Sequence, residues 1–199
     1  MSEILDIFKK RRSIYALGAD VNLSQSEIAE VVKQCIKNAP SAFNSQTARA
    51  VVLFGAEHQK LWKIVLNHLQ KVTPADKFGA TQNKIASFAA AYGTILFFED
   101  MAAVESLQKK FPLYHDAFPT FSCQSSGMAQ YMVWTALAQE NIGASLQHYN
   151  PLIDDDVKKK FALPQEWKLM SQMPFGSIKA PAGEKEFLPV EKRVIIKEG

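Results

Sequence analysis

The stretch Ser122–Asn141 constrains the fold more than any other part of the chain. Met128, Ala129, Tyr131, Met132, Val133, Trp134, Ala136, Leu137 and Ala138 cover most of the circumference of a predicted helix. A helix that is apolar nearly all round must be surrounded by other structure. It therefore belongs at the centre of a domain or between two subunits, with Gly143 as its C-terminal stop. A chain of 199 residues can bury such a helix in one domain and is short of a comfortable two. Residues 1–199 are read as that single domain.

The flanking pattern alternates helices and short apolar strands. Ser2–Lys10 reads as a helix with Ile4, Leu5, Ile7 and Phe8 on its buried side. Ser24-Gln25-Ser26-Glu27 is a capping box, followed by Ile28, Val31, Val32, Cys35 and Ile36 at helical spacing until Pro40. Ala50–Phe54 and Thr94–Phe98 are apolar enough to be buried strands, and Trp167–Phe175 and Arg193–Ile196 read as later ones. His58–Lys71, Lys84–Tyr92 and Met101–Lys110 read as helices, Thr73–Thr81 as a loop and Ser177–Pro189 as a surface segment. His58 and His68 are assigned to the surface, since no second ligand stands at a metal spacing. Phe111–Phe121, with four rings and two prolines, is either a buried hinge or a lid over a pocket. Asp154-Asp155-Asp156 before Lys158-Lys159-Lys160 complements a helix dipole and requires no further function.

Charge and composition exclude several classes. A net charge of +3 without a basic run of five gives no nucleic-acid footprint. Ile85–Phe98 is too short and too polar to span a bilayer. Ser2–Arg12 is charged and amphipathic, unlike a secretory leader. Of the two cysteines, Cys35 falls on an apolar helix face and Cys123 at the start of an apolar helix; both read as buried reduced thiols, with a disulfide or a nucleophile as the unsupported alternatives. These features describe a cytoplasmic protein with neither a nucleic-acid nor a membrane partner.

Three polar segments remain for chemistry. Arg11-Arg12-Ser13 sits at a helix exit, where two guanidiniums and a hydroxyl can hold a phosphate; a solvated helix end is the plainer alternative. The loop Pro40–Thr47 carries carboxamides at Asn44 and Gln46 that can read the edge of a planar heterocycle. Ala144–Pro151 is a second polar and aromatic loop. There is no GxGxxG, P-loop, HExxH, CxxC pair or GxSxG, and no two of the nine glycines are separated by a single residue. No nucleophile stands out. The chain is a binding protein, or an enzyme whose cofactor does the chemistry.

In this order, Arg11-Arg12-Ser13, the PS-x-x-N-x-Q loop at Pro40–Gln46, the long helix, the Ser145–Tyr149 turn and Arg193 resemble the nitroreductase family over nearly the whole chain. The spellings around Arg11 and Gly143 resemble its short subgroup, which includes the fungal fatty-acid-repression-mutant proteins. The resemblance implies an α+β fold, a mixed sheet flanked by helices, in an interlocked homodimer with two FMN sites at the interface. It implies that NADH or NADPH donates hydride and that a nitroaromatic compound or quinone is the small-molecule acceptor, in a ping-pong scheme. Arg11, Arg12, Ser13 and the late Arg193 would serve the FMN phosphate and ribityl chain. The position two residues before Arg193 is Glu191 where the family often has lysine, leaving Lys185 or Lys192 in that role. Pro40, Ser41, Asn44 and Gln46 would reach the isoalloxazine from the other subunit. Gln147 and His148 would lie by the ring, where longer members carry a glutamate-glycine turn. No catalytic side chain and no metal is implied. A flavin-binding sensor and a flavin dehydrogenase working oxidatively are the alternatives.

Overall fold

The computed structural model describes residues 3–199, and Met1 and Ser2 lie outside that range. Its helices are α1 (Glu3–Lys10), α2 (Gln25–Asn38), α3 (Gly55–Val72), α4 (Ala75–Ala89), α5 (Met101–Lys110), α6 (Phe118–Gln139) and α7 (Asp154–Lys160). Its strands are β1 (Leu17–Gly18), β2 (Ala48–Phe54), β3 (Gly93–Asp100), β4 (Ile142–Ala144) and β5 (Trp167–Ile178). They form one sheet in the order β1-β5-β3-β2, with β4 also on β5. The architecture is α+β, as the sequence implies. Every ladder between these strands is antiparallel, and a parallel element enters through the isolated bridge between Ser13 and Ala144.

β3 is the middle of the fold. Leu96 and Phe98 face a cluster with Leu61, Trp62, Val65, Phe88 and Ile153. Ile95 and Phe97 face the other side, against Ile28, Val32, Val133 and Leu137. A strand covered on both faces needs a continuous apolar run, and Thr94–Phe98 supplies it. β5 continues through Gly176 rather than ending there. The absence of a side chain permits this, because a Cβ on Gly176 would lie 2.1 Å from the Gly18 carbonyl oxygen.

Several sequence expectations need correction. Thr73–Thr81 is mostly helical, because Pro74 occupies the N-cap of α4, where no backbone donor is required. Arg193–Ile196 forms no strand; a short turn at Val190–Lys192 precedes it and the residues after Arg193 have no regular structure. His58 is buried, not on the surface, while His68 meets Asp156 at 2.7 Å. Cys35 is half-buried and Cys123 is exposed; both are free thiols. The apolar face of α1 buries no residue, and Ile4, Leu5 and Phe8 are exposed in the single chain.

α6 holds the larger surprise. Its buried face is Phe118, Ser122, Ser125, Ser126, Ala129, Gln130, Val133 and Leu137, while Met128 and Tyr131 point to solvent. The inner polar groups are paired: Ser122 donates to Glu99, Gln130 donates to Ser126 at 2.9 Å, and Ser171 donates to Gln130 at 2.7 Å. No helix among the described residues is long and apolar enough to cross a membrane.

Candidate functional site

The turn after α1 brings cations together. Arg11 continues the helical bonding, its N–H donating to the Ile7 carbonyl oxygen at 3.0 Å. Its guanidinium then lies 4.4 Å from the Trp134 ring centroid and 5.6 Å from that of Tyr131. Its Nε is buried and has no hydrogen-bond partner in the chain, an exception among buried donors. Arg12 Nη2 donates to the Gly183 carbonyl oxygen at 2.7 Å, tying the C-terminal segment to the helix exit. Ser13 is placed by its bridge to β4, where the Ile14 N–H reaches the Ala144 carbonyl oxygen at 2.9 Å. Arg11, Arg12, Ser13, Tyr15, Gly183 and Lys185 line a cavity of about 420 Å³. Three cations and the hydroxyls of Ser13 and Tyr15, against the one carboxylate of Glu184, suit an anion, and a phosphate matches the planar donors of two arginines.

Lys185 therefore joins Arg11 and Arg12, whereas Arg193 does not within this chain. Arg193 is exposed beyond the Val190 turn and lies outside the cavity lining, and Lys192 is exposed beside it.

The Pro40–Gln46 loop is wound more tightly than its sequence suggests. Pro40 follows the end of α2, and Ala42–Asn44 makes one 3-10 turn. Phe43, Asn44 and Gln46 have φ of 57°, 50° and 48°. Left-handed backbone costs a residue with a Cβ about 1–2 kcal/mol, so the surroundings must hold it. Inside the loop, the Gln46 N–H donates to Ser41 Oγ at 3.0 Å. Outside it, Arg49 donates to the Gln46 carbonyl oxygen at 2.7 Å and pairs with Asp100 at 2.7 Å. The Asp100 N–H donates to the Thr47 carbonyl oxygen at 3.0 Å. The clamp leaves Asn44 and Gln46 exposed, Ser41 half-buried and Pro40 at the surface. Arg49 and Asp100 escaped the sequence reading. Their signal was an arginine inside the apolar run Ala48–Phe54 and a carboxylate ending β3.

In the third segment, Gln147 exchanges two backbone bonds with Gln172, at 2.7 and 2.9 Å. Its buried side chain donates to Ser145 Oγ at 3.1 Å, and His148 beside it is exposed. Gln172, also missed, accepts the Tyr149 N–H at 2.8 Å and so shapes the turn. This turn follows β4, which also carries the Ser13 bridge, so the first and third segments share one support. The Pro40–Gln46 loop is separate: the small cavity of about 120 Å³ at Ser41 and Gln46 shares no lining residue with the arginine cavity.

Behind the loop lies Glu99, 1% exposed, which accepts a hydrogen bond from Ser122. Burial pushes its carboxyl up, and the hydroxyls of Ser122, Thr47 and Ser126 and the charge of Arg49 pull the other way.

The model of the Nitroreductase family matches residues 8–177. Nitroreductase CinD from Lactococcus lactis, solved with nicotinic acid, is 47% identical; the match covers 98% of this chain and all of that one, with a TM-score of 0.92. Nitroreductase FRM2 from Saccharomyces cerevisiae is 34% identical over 190 residues, 92% of each chain. A nitroreductase-like protein from Desulfovibrio desulfuricans, solved with FMN, shares the fold at 18% identity and a TM-score of 0.71.

Proposed function

The chain belongs to the nitroreductase family, whose members are flavin-dependent oxidoreductases, and we propose that it is an FMN enzyme acting as a homodimer in the cytoplasm. In this reading NADH or NADPH is the donor and a nitroaromatic compound or quinone the acceptor, each entering and leaving in turn. The observation that carries the proposal is the cavity where Arg11, Arg12, Ser13 and Lys185 converge, with the buried Arg11 Nε lacking a partner in the chain.

FMN, when bound, would supply the redox chemistry, accepting hydride and passing electrons on. The chain supplies position and charge. Arg11, Arg12 and Lys185 would neutralise the phosphate dianion, and Ser13 would hydrogen-bond it or the adjoining ribityl hydroxyls. Arg193 would join them once its exposed tail packs. Ser41, Asn44 and Gln46 would address the polar edge of the ring with neutral amides and a hydroxyl. Gln147 and His148 would flank the ring from the β4 side.

Two features favour a two-chain site. The amide loop and the arginine cavity are separate within one chain. The apolar face of α1, the outward face of α6, and the tail residues Phe187, Leu188, Ile195 and Ile196 are exposed in the single chain. A tail of that composition suits an arm laid across a second copy.

The test is the absorption spectrum of the purified protein before and after anaerobic NADH or NADPH. A yellow protein that the nicotinamide bleaches, and that a nitroarene then re-oxidises, is the expected outcome. A protein that neither carries FMN nor takes it up would overturn the proposal. Flavin that resists bleaching would leave a flavin-binding sensor.

A further inference from the structure

Two residues hold every carbonyl at the exit of the amide loop. The carbonyl oxygens of Gln46 and Ala48 accept from Arg49 Nη1 at 2.7 and 3.1 Å, and that of Thr47, between them, accepts the Asp100 N–H at 3.0 Å. Arg49 and Asp100 are themselves joined, Nη2 to Oδ2, at 2.7 Å. The second carboxylate oxygen, Oδ1, accepts the Ala103 N–H at 3.1 Å and caps α5. The Trp167 ring of β5 lies 5.9 Å from the guanidinium. One ion pair thus ties the loop to β3 and to the start of α5. Its side chains are 31% and 17% exposed, so it is withdrawn from the solvent that weakens surface pairs.

What the pair holds is a backbone under strain. Phe43, Asn44 and Gln46 are all left-handed. The N–H groups of Asn44, Ser45 and Gln46 bond to Ser41 and Ala42, which closes the turn without tying it to the sheet. Freed from Arg49, the Gln46 peptide would relax and carry its side-chain amide out of place. Neither Arg49 nor Asp100 lines the arginine cavity.

We propose that Arg49 and Asp100 are positioning residues of the flavin site, fixing in advance the amides that address the ring and so setting affinity for the ring independently of the phosphate. The proposal rests on the reading of Pro40–Gln46 as the flavin-facing loop. A loop already held in its binding form loses little affinity to its own ordering. Arginine suits the task because its rigid fork serves two carbonyls and a carboxylate together; a lysine ammonium on a flexible stem does not reproduce that set.

The full-length protein, freed of bound flavin, is titrated with FMN and with riboflavin by fluorescence. Arg49→Ala is expected to weaken both about tenfold, equivalent to about 1.4 kcal/mol. The ratio of the two Kd values should stay within about twofold of the wild-type ratio. Arg49→Lys keeps the charge without the fork and should remain weakened about threefold or more. In a Gln46→Ala background the loss from Arg49→Ala should shrink to about threefold, because the amide it places is gone. A loss confined to FMN overturns the proposal, since Arg49 would then act on the phosphate. Unchanged affinity in Arg49→Ala, full recovery in Arg49→Lys, or the same tenfold loss in both backgrounds overturns it too, the last by marking a general loosening of the fold. Should Arg49→Ala fail to fold, Asp100→Asn removes the ion pair while keeping a capping acceptor for α5, and the same ratio and background comparison are read from it. Wild-type protein that binds neither flavin would overturn the flavin reading itself, whereas failure of the positioning role shows in the variants alone.

Discussion

His58 Nδ1 lies 2.8 Å from the hydroxyl of Thr94, both residues being buried. The other ring nitrogen faces the Ala89 carbonyl oxygen at 3.1 Å, which can only accept, so Nε2 carries the proton and Nδ1 accepts from Thr94. The same hydroxyl oxygen accepts the Trp62 Nε1–H at 3.0 Å. One threonine thus satisfies two buried groups between α3 and β3.

Thr94→Val keeps the shape but strands both groups, and is expected to cost about 1–3 kcal/mol. The histidine also makes the fold acid-sensitive. Burial lowers its pKa from 6.5, so its contribution is complete above 6.5 and is lost as pH falls through the lower folded value. Urea unfolding of the wild type and His58→Gln from neutral pH down to about pH 5 measures this. Parallel curves would rule the histidine out as the source.

Glu99 works in the opposite sense. Its carboxyl is raised from 4.5 chiefly by burial, so its contribution is complete below 4.5 and is lost as pH rises through the higher folded value. Glu99→Gln should therefore gain stability relative to the wild type between about pH 4 and pH 8. Denaturant midpoints of the two proteins across that range decide it; a constant difference would mean that Glu99 does not titrate differently on folding.

Arg12→Ala and Arg193→Ala should each weaken FMN binding about ten- to a hundredfold, the loss of one charge-assisted contact. Riboflavin lacks the phosphate and should respond little to either change. Fluorescence titration with both flavins gives the comparison. Equal losses for FMN and riboflavin would make the arginines structural.

The sequence made the fold class, the core helix and the polar segments legible for different reasons. Periodicity reports which residues are apolar and leaves open which face turns inward. On α6 the inward choice fell to Ser122, Ser126 and Gln130 because Glu99 and Ser171 wait on the strands, partners distant in sequence. His58 went astray likewise: its partners Thr94 and Ala89 come from β3 and the end of α4, so the polarity of one residue misled about its surroundings. Val194, Ile195 and Ile196 have strand propensity but no neighbouring strand in this chain, and propensity without a partner forms no ladder. Arg11-Arg12-Ser13 was readable as a phosphate candidate because all three lie on one turn. Lys185 stood as one of two lysines until the Arg12 bond to Gly183 brought its segment back to the helix exit.

The polar bonds on the inner side of α6 have a mechanical consequence. Ser122 is pinned to β3 through Glu99, and Gln130 to β5 through Ser171. Eight residues of helix separate the pins by about 12 Å along the axis. Apolar packing alone would let a helix roll by part of a turn and exchange one greasy contact for another. Two bonds at different heights forbid both the roll and the slide, since either movement would strand buried oxygens. The azimuth of the outward face, with Met128 and Tyr131, is thus set from inside the fold.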